Sequence, residues 1–121
     1  MRYETPVTDG NRLTNVDLEL PSGEHIDAGT RLISSWSAAN LDSAYFNDPL
    51  QVDLLRSPNP HVAFASGFHR CLGSHLARME LRTALAVWHR LIPDYSIAAD
   101  TTLTYSGNPR APHHLPLVWG R

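Results

Sequence analysis

The chain has a single cysteine, Cys71, and it stands directly before the strongest helical pattern in the sequence. From Ala77 to Ile92, apolar residues recur at three- and four-residue steps, with arginines and a histidine on the opposite side. Pro93 cannot continue a helix, and it biases the residue before it away from helical geometry. We therefore predict an amphipathic helix over roughly residues 72 to 91, with Cys71 at its amino terminus.

That position favours a thiolate. Unpaired backbone N–H groups and the positive end of the helix dipole stabilise an anion at a helix amino terminus. A lone cysteine cannot form a disulfide within the chain, so Cys71 is free, a metal ligand or a nucleophile. The alternative is a buried, inert cysteine that behaves as a small hydrophobic residue.

The residues before Cys71 predict a loop shaped around a planar group. Gly67 and Gly73 lack side chains, which allows the backbone to lie against a flat molecule or to take up a left-handed turn. His69 offers a hydrogen-bond donor for a carboxylate, and Phe64 supplies an apolar wall.

The spacing Phe64-x-x-Gly67-x-His69-x-Cys71-x-Gly73 resembles the haem-binding signature of the cytochrome P450 family, and every fixed position matches. Further segments look like bacterial members of the family and occur in the right order: residues 38–40, 46–49, 74–82 and 115–119.

The resemblance implies a b-type haem with Cys71 as its axial thiolate, activation of O2 and insertion of one oxygen atom into a small apolar organic substrate. Electrons would come from a ferredoxin-type or flavoprotein redox partner. His69 and Arg12 would bind the haem propionates, since a guanidinium is an apt partner for a carboxylate. Arg78 would help to dock an acidic redox partner.

The chain also departs from the family pattern. Arg2 stands where the family's Glu-x-x-Arg motif has its arginine, but the glutamate would lie before Met1. Gln51 replaces the arginine that usually completes the buried ion-pair network, so we expect no such network. The long helix over the distal face of the haem is absent as well. The resemblance thus implies that residues 1–121 are the C-terminal haem-ligand portion of a truncated P450 domain, without its N-terminal and distal-helix regions.

The fold class expected is a mixed α and β segment of the mainly α P450 fold. Before the loop, residues 16–20 and 31–36 are predicted to pair as a hairpin. A helical turn or two is expected within residues 37–46, followed by a coil meander over residues 47–60. Short strands are predicted after the long helix, at residues 95–98, 103–105 and 115–119. The length of 121 residues suits one domain with a core.

The charge and composition of the chain argue against two classes of binding partner, nucleic acid and membranes. A net charge of −2 gives no broad cationic field for nucleic acid or anionic lipid. The first twelve residues lack the apolar segment of a signal peptide, and no apolar run is long enough to span a bilayer. We expect a cytoplasmic protein that binds neither nucleic acid nor membrane.

Two other functions remain open. The chain could be a non-catalytic haem- or metal-binding module, in which His69, Cys71 and His75 bind zinc with a fourth ligand from His113 or His114. It could also be an inactive truncated fragment. In either case we expect the isolated chain to be marginally folded, with the apolar faces of the hairpin and of the long helix exposed.

Overall fold

A computed structural model describes residues 1–120, and it separates two compact units, Met1–Ala63 and a second that begins at Phe64. The expectation that the chain is a portion of one P450 domain stays a prediction. Within the described residues, the buried hydrophobic side chains are Phe46 and Ala63, at 6% and 5% exposure. Few large apolar side chains are therefore buried within residues 1–120.

The first unit begins with two nested antiparallel strand pairs. The outer pair joins β1 (Asp9–Leu13) to β4 (Arg31–Ser35). The inner pair joins β2 (Leu18–Glu19) to β3 (His25–Ile26). The predicted pairing of residues 16–20 with residues 31–36 is therefore wrong.

The tight turn after β2 explains the difference. The N–H of Gly23 donates to the carbonyl of Leu20 at 2.8 Å, and Gly23 has a φ of +89°, a conformation that glycine adopts without strain. This turn brings the chain straight back along β2 as β3. The strand β4 is then left to pair with β1, which the sequence pattern did not reveal.

The short helix α1 (Trp36–Asn40) follows β4 directly and lies at the start of the region where a helical turn was expected. Ser35 caps it, since its hydroxyl accepts a 3.3 Å hydrogen bond from the N–H of Ala38. Residues 47–60 contain no helix or strand, in line with the predicted meander. The guanidinium of Arg56 stabilises this stretch by donating hydrogen bonds to the carbonyls of Asn47 and Asp48, at 2.8 and 3.2 Å.

The second unit contains the long helix α2 (Ser74–Leu91) and two small antiparallel strand pairs. The helix ends before Pro93, as predicted, and begins two residues later than predicted. The strand pairs join β5 (Tyr95–Ile97) to β8 (Leu117–Trp119) and β6 (Tyr105–Ser106) to β7 (Ala111–Pro112). The strand β7 was not predicted.

One end of α2 packs on aromatic side chains. The ring of Trp88 lies edge-on to those of Tyr95 and Trp119, at centroid distances of 5.7 and 6.2 Å. Leu81 and Leu85, on the apolar face of α2, are 48% and 54% exposed, so this face is uncovered, as expected for the isolated chain. No helix within residues 1–120 is both long and apolar enough to cross a membrane.

Candidate thiolate ligand site

The loop that carries Cys71 is closed by its own backbone. The N–H of Cys71 donates a 2.8 Å hydrogen bond to the carbonyl of Phe64, which joins the two ends of the turn. Between them lies a single 3-10 turn, Gly67–His69, in which the N–H of Arg70 donates to the carbonyl of Gly67 at 3.1 Å. The sequence-predicted loop therefore has a defined, hydrogen-bonded conformation.

Cys71 lies just outside the helix rather than in its first turn. Gly73 is the residue that caps α2, and the carbonyl of Cys71 accepts a 3.2 Å hydrogen bond from the N–H of Ser74. This turn delays the start of the helix, which corrects the prediction that the helix begins at residue 72. The thiol of Cys71 is free and exposed, so the alternative of a buried, inert cysteine does not apply to this chain.

Two apolar residues near Cys71 in the sequence have fully exposed side chains, and neither was predicted to belong to the site. Phe68 and Leu72 have relative exposures of 108% and 99%. Large apolar side chains that are this exposed, close in sequence to a thiol, are available for contact with an apolar group. Their apolar character in a loop otherwise rich in glycine and polar residues was the available sequence signal.

The two glycines differ in what they contribute. Gly67 has a φ of +61°, in the left-handed region, and a Cβ at this position would meet no atom within 4 Å. It is therefore needed for backbone conformation. Gly73 has a φ of −77°, which any residue adopts, and a Cβ there would lie 3.9 Å from the sulphur of Cys71. A side chain at residue 73 would border the thiol.

Phe64 and His69 occupy different environments. His69 is exposed, and no hydrogen bond of its side chain occurs in the part of the chain that the structure describes. Phe64 is half-buried, and the guanidinium carbon of Arg78 lies 5.0 Å from the centre of its ring. Arg78 was predicted to lie on an exposed face. It is exposed, but it also makes this cation–π contact.

Arg12 belongs to the first unit, in β1 opposite Leu32. Its side chain is exposed and donates a 2.8 Å hydrogen bond to the carbonyl of Asn11. Phe64, Gly67, His69, Cys71 and Gly73 belong to the second unit, in the loop. The role of Arg12 beside this loop stays a prediction.

The residues that stand in for the family's ion-pair network also lie in the first unit. Arg2 is 5% exposed, and its guanidinium carbon lies 4.8 Å from the centre of the Phe46 ring. It donates to the carbonyl of Asn40 at 2.7 Å. Gln51, at the position expected for the second arginine, is exposed. Arg2 is thus held by a ring and a carbonyl rather than by a carboxylate within residues 1–120.

The zinc alternative finds no support in the geometry. Within residues 1–120, the one group of three potential metal-binding side chains whose donor atoms lie within 4.8 Å of one another is Asp17, His25 and Asp27. All three are exposed and belong to the first unit. His69, Cys71 and His75 form no such group.

The residues of the loop fit a haem by the chemistry of their donor and their surface. An exposed thiol offers the single sulphur ligand that a haem-thiolate site requires, and two exposed apolar side chains stand near it in the sequence.

Comparison with known proteins agrees with this fit. The model of the cytochrome P450 family matches residues 1–101. Mycinamicin IV hydroxylase/epoxidase of Micromonospora griseorubida is 41% identical over 100 residues, which cover 80% of this chain and 25% of that protein. Cytochrome P450 CYP107DY1 of Priestia megaterium is 35% identical over 121 residues, covering 98% of this chain and 29% of that protein.

A solved structure is similar throughout the chain. P450BioI, in complex with hexadec-9Z-enoic acid ligated acyl carrier protein, superposes with a TM-score of 0.91 at 34% identity. The match covers 98% of this chain and 31% of that one. The chain therefore has the fold of a P450 segment, and it spans about a quarter to a third of the length of the relatives it matches. It belongs to the cytochrome P450 family.

Proposed function

We propose that residues 1–121 are the C-terminal, haem-ligating portion of a bacterial-type cytochrome P450 monooxygenase, with Cys71 as the axial ligand of a b-type haem. The observation that carries this proposal is the exposed thiol of Cys71, in a hydrogen-bonded loop that also carries two fully exposed apolar side chains. Family membership supplies the expectation of haem, and the donor set of the loop fits it.

When bound, the haem would supply the redox chemistry that activates O2, and the thiolate would favour O–O cleavage by donating electron density to iron. The residues of this chain would bind the haem and position its cysteine ligand. The hydrogen bond from the N–H of Cys71 to the carbonyl of Phe64 restrains the backbone that carries the ligand. The side chains of Phe68 and Leu72 would exclude water from the same surface.

His69 and Arg12 are proposed to bind the two propionates. The imidazole of His69 is exposed two residues before the ligand, and the exposed guanidinium of Arg12 spends one donor on a neighbouring carbonyl. Arg12 therefore keeps further N–H groups for a carboxylate. Both roles are argued from the family signature and from exposure.

The partners of the whole protein are proposals of the same kind. They are O2, a small apolar organic substrate and a ferredoxin-type or flavoprotein electron donor. The substrate-selecting residues of a P450 lie mostly outside this stretch, so the fold of this segment does not identify the substrate. The predicted cytoplasmic location also stays a prediction.

A spectroscopic experiment tests the proposed ligand. The 121-residue chain is titrated with haem, reduced and exposed to carbon monoxide, and the Soret band is recorded. We expect the long-wavelength band that is diagnostic of thiolate ligation. Cys71→Ser should abolish it, while the matched control His75→Ala should retain it.

The alternatives give different results. If the Cys71→Ser and parent spectra were the same, Cys71 would not be the ligand. If haem bound with the thiolate band but a full-length protein containing this segment showed no turnover, the segment would be a non-catalytic haem-binding module. Bound zinc without a visible band would identify a metal site instead.

A further inference from the structure

The side chain of Arg78 reaches back from α2 to the loop that holds Cys71. Its guanidinium carbon lies 5.0 Å from the centre of the Phe64 ring. A cation within about 6 Å of a ring centre is attracted by the electron-rich face of the ring. The contact therefore connects the second turn of α2 with the first residue of the loop.

Phe64 connects in turn to Cys71 through the backbone. Its carbonyl accepts the 2.8 Å hydrogen bond from the N–H of Cys71. Phe64 thus contacts Arg78 through its ring and accepts a hydrogen bond from Cys71 through its carbonyl. Arg78 and Cys71 are exposed, and Phe64 is half-buried. In such an exposed loop, individual contacts determine how often the backbone opens.

The other arginines of α2 are not placed in this way. Among Arg78, Arg82 and Arg90, within the part of the chain that the structure describes, Arg78 alone lies over an aromatic ring. Arg82 is exposed on the same helix, one turn later. It carries the same charge without the ring contact, which makes it a matched control.

We propose that Arg78 is a positioning residue for the Cys71 ligand: it holds the Phe64 ring, and through that ring it fixes the carbonyl that restrains the amide of Cys71. The restraint is a property of the haem-free chain. Its consequence for haem rests on the function proposed above. With haem bound, a cation at this loop also favours reduced over oxidised iron, because reduction lowers the positive charge of the site.

The restraint is tested by hydrogen exchange of the Cys71 amide in the full, haem-free chain. Arg78→Met removes the charge and keeps a long apolar side chain, and Phe64→Leu removes the ring. We expect each to speed exchange of this amide by roughly two- to five-fold. The double variant should be no faster than the faster single variant, because the contact is already lost. Arg82→Met should leave the rate unchanged.

Two results would overturn the proposal. One is an unchanged rate in Arg78→Met, and the other is a double variant whose acceleration is the product of the two single effects. If Arg78→Met disturbs α2, seen as faster exchange at Trp88, then Arg78→Gln, which also removes the charge, takes its place. Faster exchange of the Cys71 amide in Arg78→Gln would support the proposal, and an unchanged rate would contradict it.

The haem-loaded chain gives a second readout, the midpoint reduction potential. Arg78→Met should lower it, Arg78→Lys should shift it less, and Arg82→Met should change it less than Arg78→Met does. Failure of the chain to bind haem would defeat the proposed function and leave the exchange result to decide the role of Arg78. If the haem-loaded chain showed the thiolate spectrum but the exchange rate of the Cys71 amide did not change in the Arg78 variants, this inference would be wrong and the proposed function would stand.

Discussion

The guanidinium of Arg2 donates a 2.7 Å hydrogen bond to the main-chain carbonyl of Asn40, 38 residues further along the chain. Asn40 is completely buried, with 0% exposure. Its side-chain amide donates to the hydroxyl of Thr5 at 2.9 Å and accepts from the N–H of Val62 at 2.8 Å. One buried side chain and its carbonyl therefore join the beginning, middle and end of the first unit.

Asn40→Ala should accordingly loosen the first unit at both of its ends. The substitution leaves the N–H of Val62 without its acceptor and removes the donor to the Thr5 oxygen, at a cost of about 1–3 kcal/mol for a buried polar group. We expect hydrogen exchange at residues 61–63 to speed up by roughly ten-fold or more. The exposed Asn47 provides the matched control, and Asn47→Ala should change these rates little. Equal rates in the two variants would show that Asn40 does not join the segments.

The loop and the long helix could be predicted because their signals are local. The three- and four-residue period defines α2, and Pro93 defines its end. The start of α2 was predicted too early because the turn from Cys71 to Ser74 depends on a backbone hydrogen bond. The residue types in this turn do not predict that bond.

The strand pairing could not be predicted because β1 lacks a strand pattern. Its five residues, Asp9–Leu13, include one large apolar side chain, so no alternation marks it. Its register with β4 is instead supported by a backbone bond of 3.0 Å from the N–H of Thr14 to the carbonyl of Thr30. Contacts between residues distant in sequence decide such pairings. The burial of Asn40 could not be predicted either, because it also depends on such contacts.

Gly67 and Gly73 should respond differently to the same substitution. Gly67→Ala forces a side chain into a left-handed backbone conformation, which costs roughly 1 kcal/mol. Gly73→Ala is compatible with a φ of −77° and meets only an ordinary contact of 3.9 Å with the sulphur of Cys71. In the haem-free chain, hydrogen exchange at Arg70 and Cys71 should therefore quicken in Gly67→Ala and stay unchanged in Gly73→Ala.

Haem titration of the same two variants separates backbone strain from contact with the cofactor. Gly73→Ala should weaken haem binding although the haem-free loop is undisturbed, because its methyl group borders the thiol. Gly67→Ala should weaken binding by roughly five-fold, as expected for a loop strained by about 1 kcal/mol. Unchanged haem affinity in Gly73→Ala would contradict the proposed position of the haem.

The exposed apolar face of α2 predicts how the isolated chain behaves. Leu81, Leu85 and Leu91 are 48%, 54% and 69% exposed, although burying one leucine side chain contributes about 1.5–3 kcal/mol. The haem-free chain should therefore bind an apolar fluorescent dye through this face. Leu81→Gln and Leu85→Gln should each reduce dye binding, while Thr83→Gln, at an exposed polar position of α2, should not. Absence of dye binding would mean that this face is covered in solution.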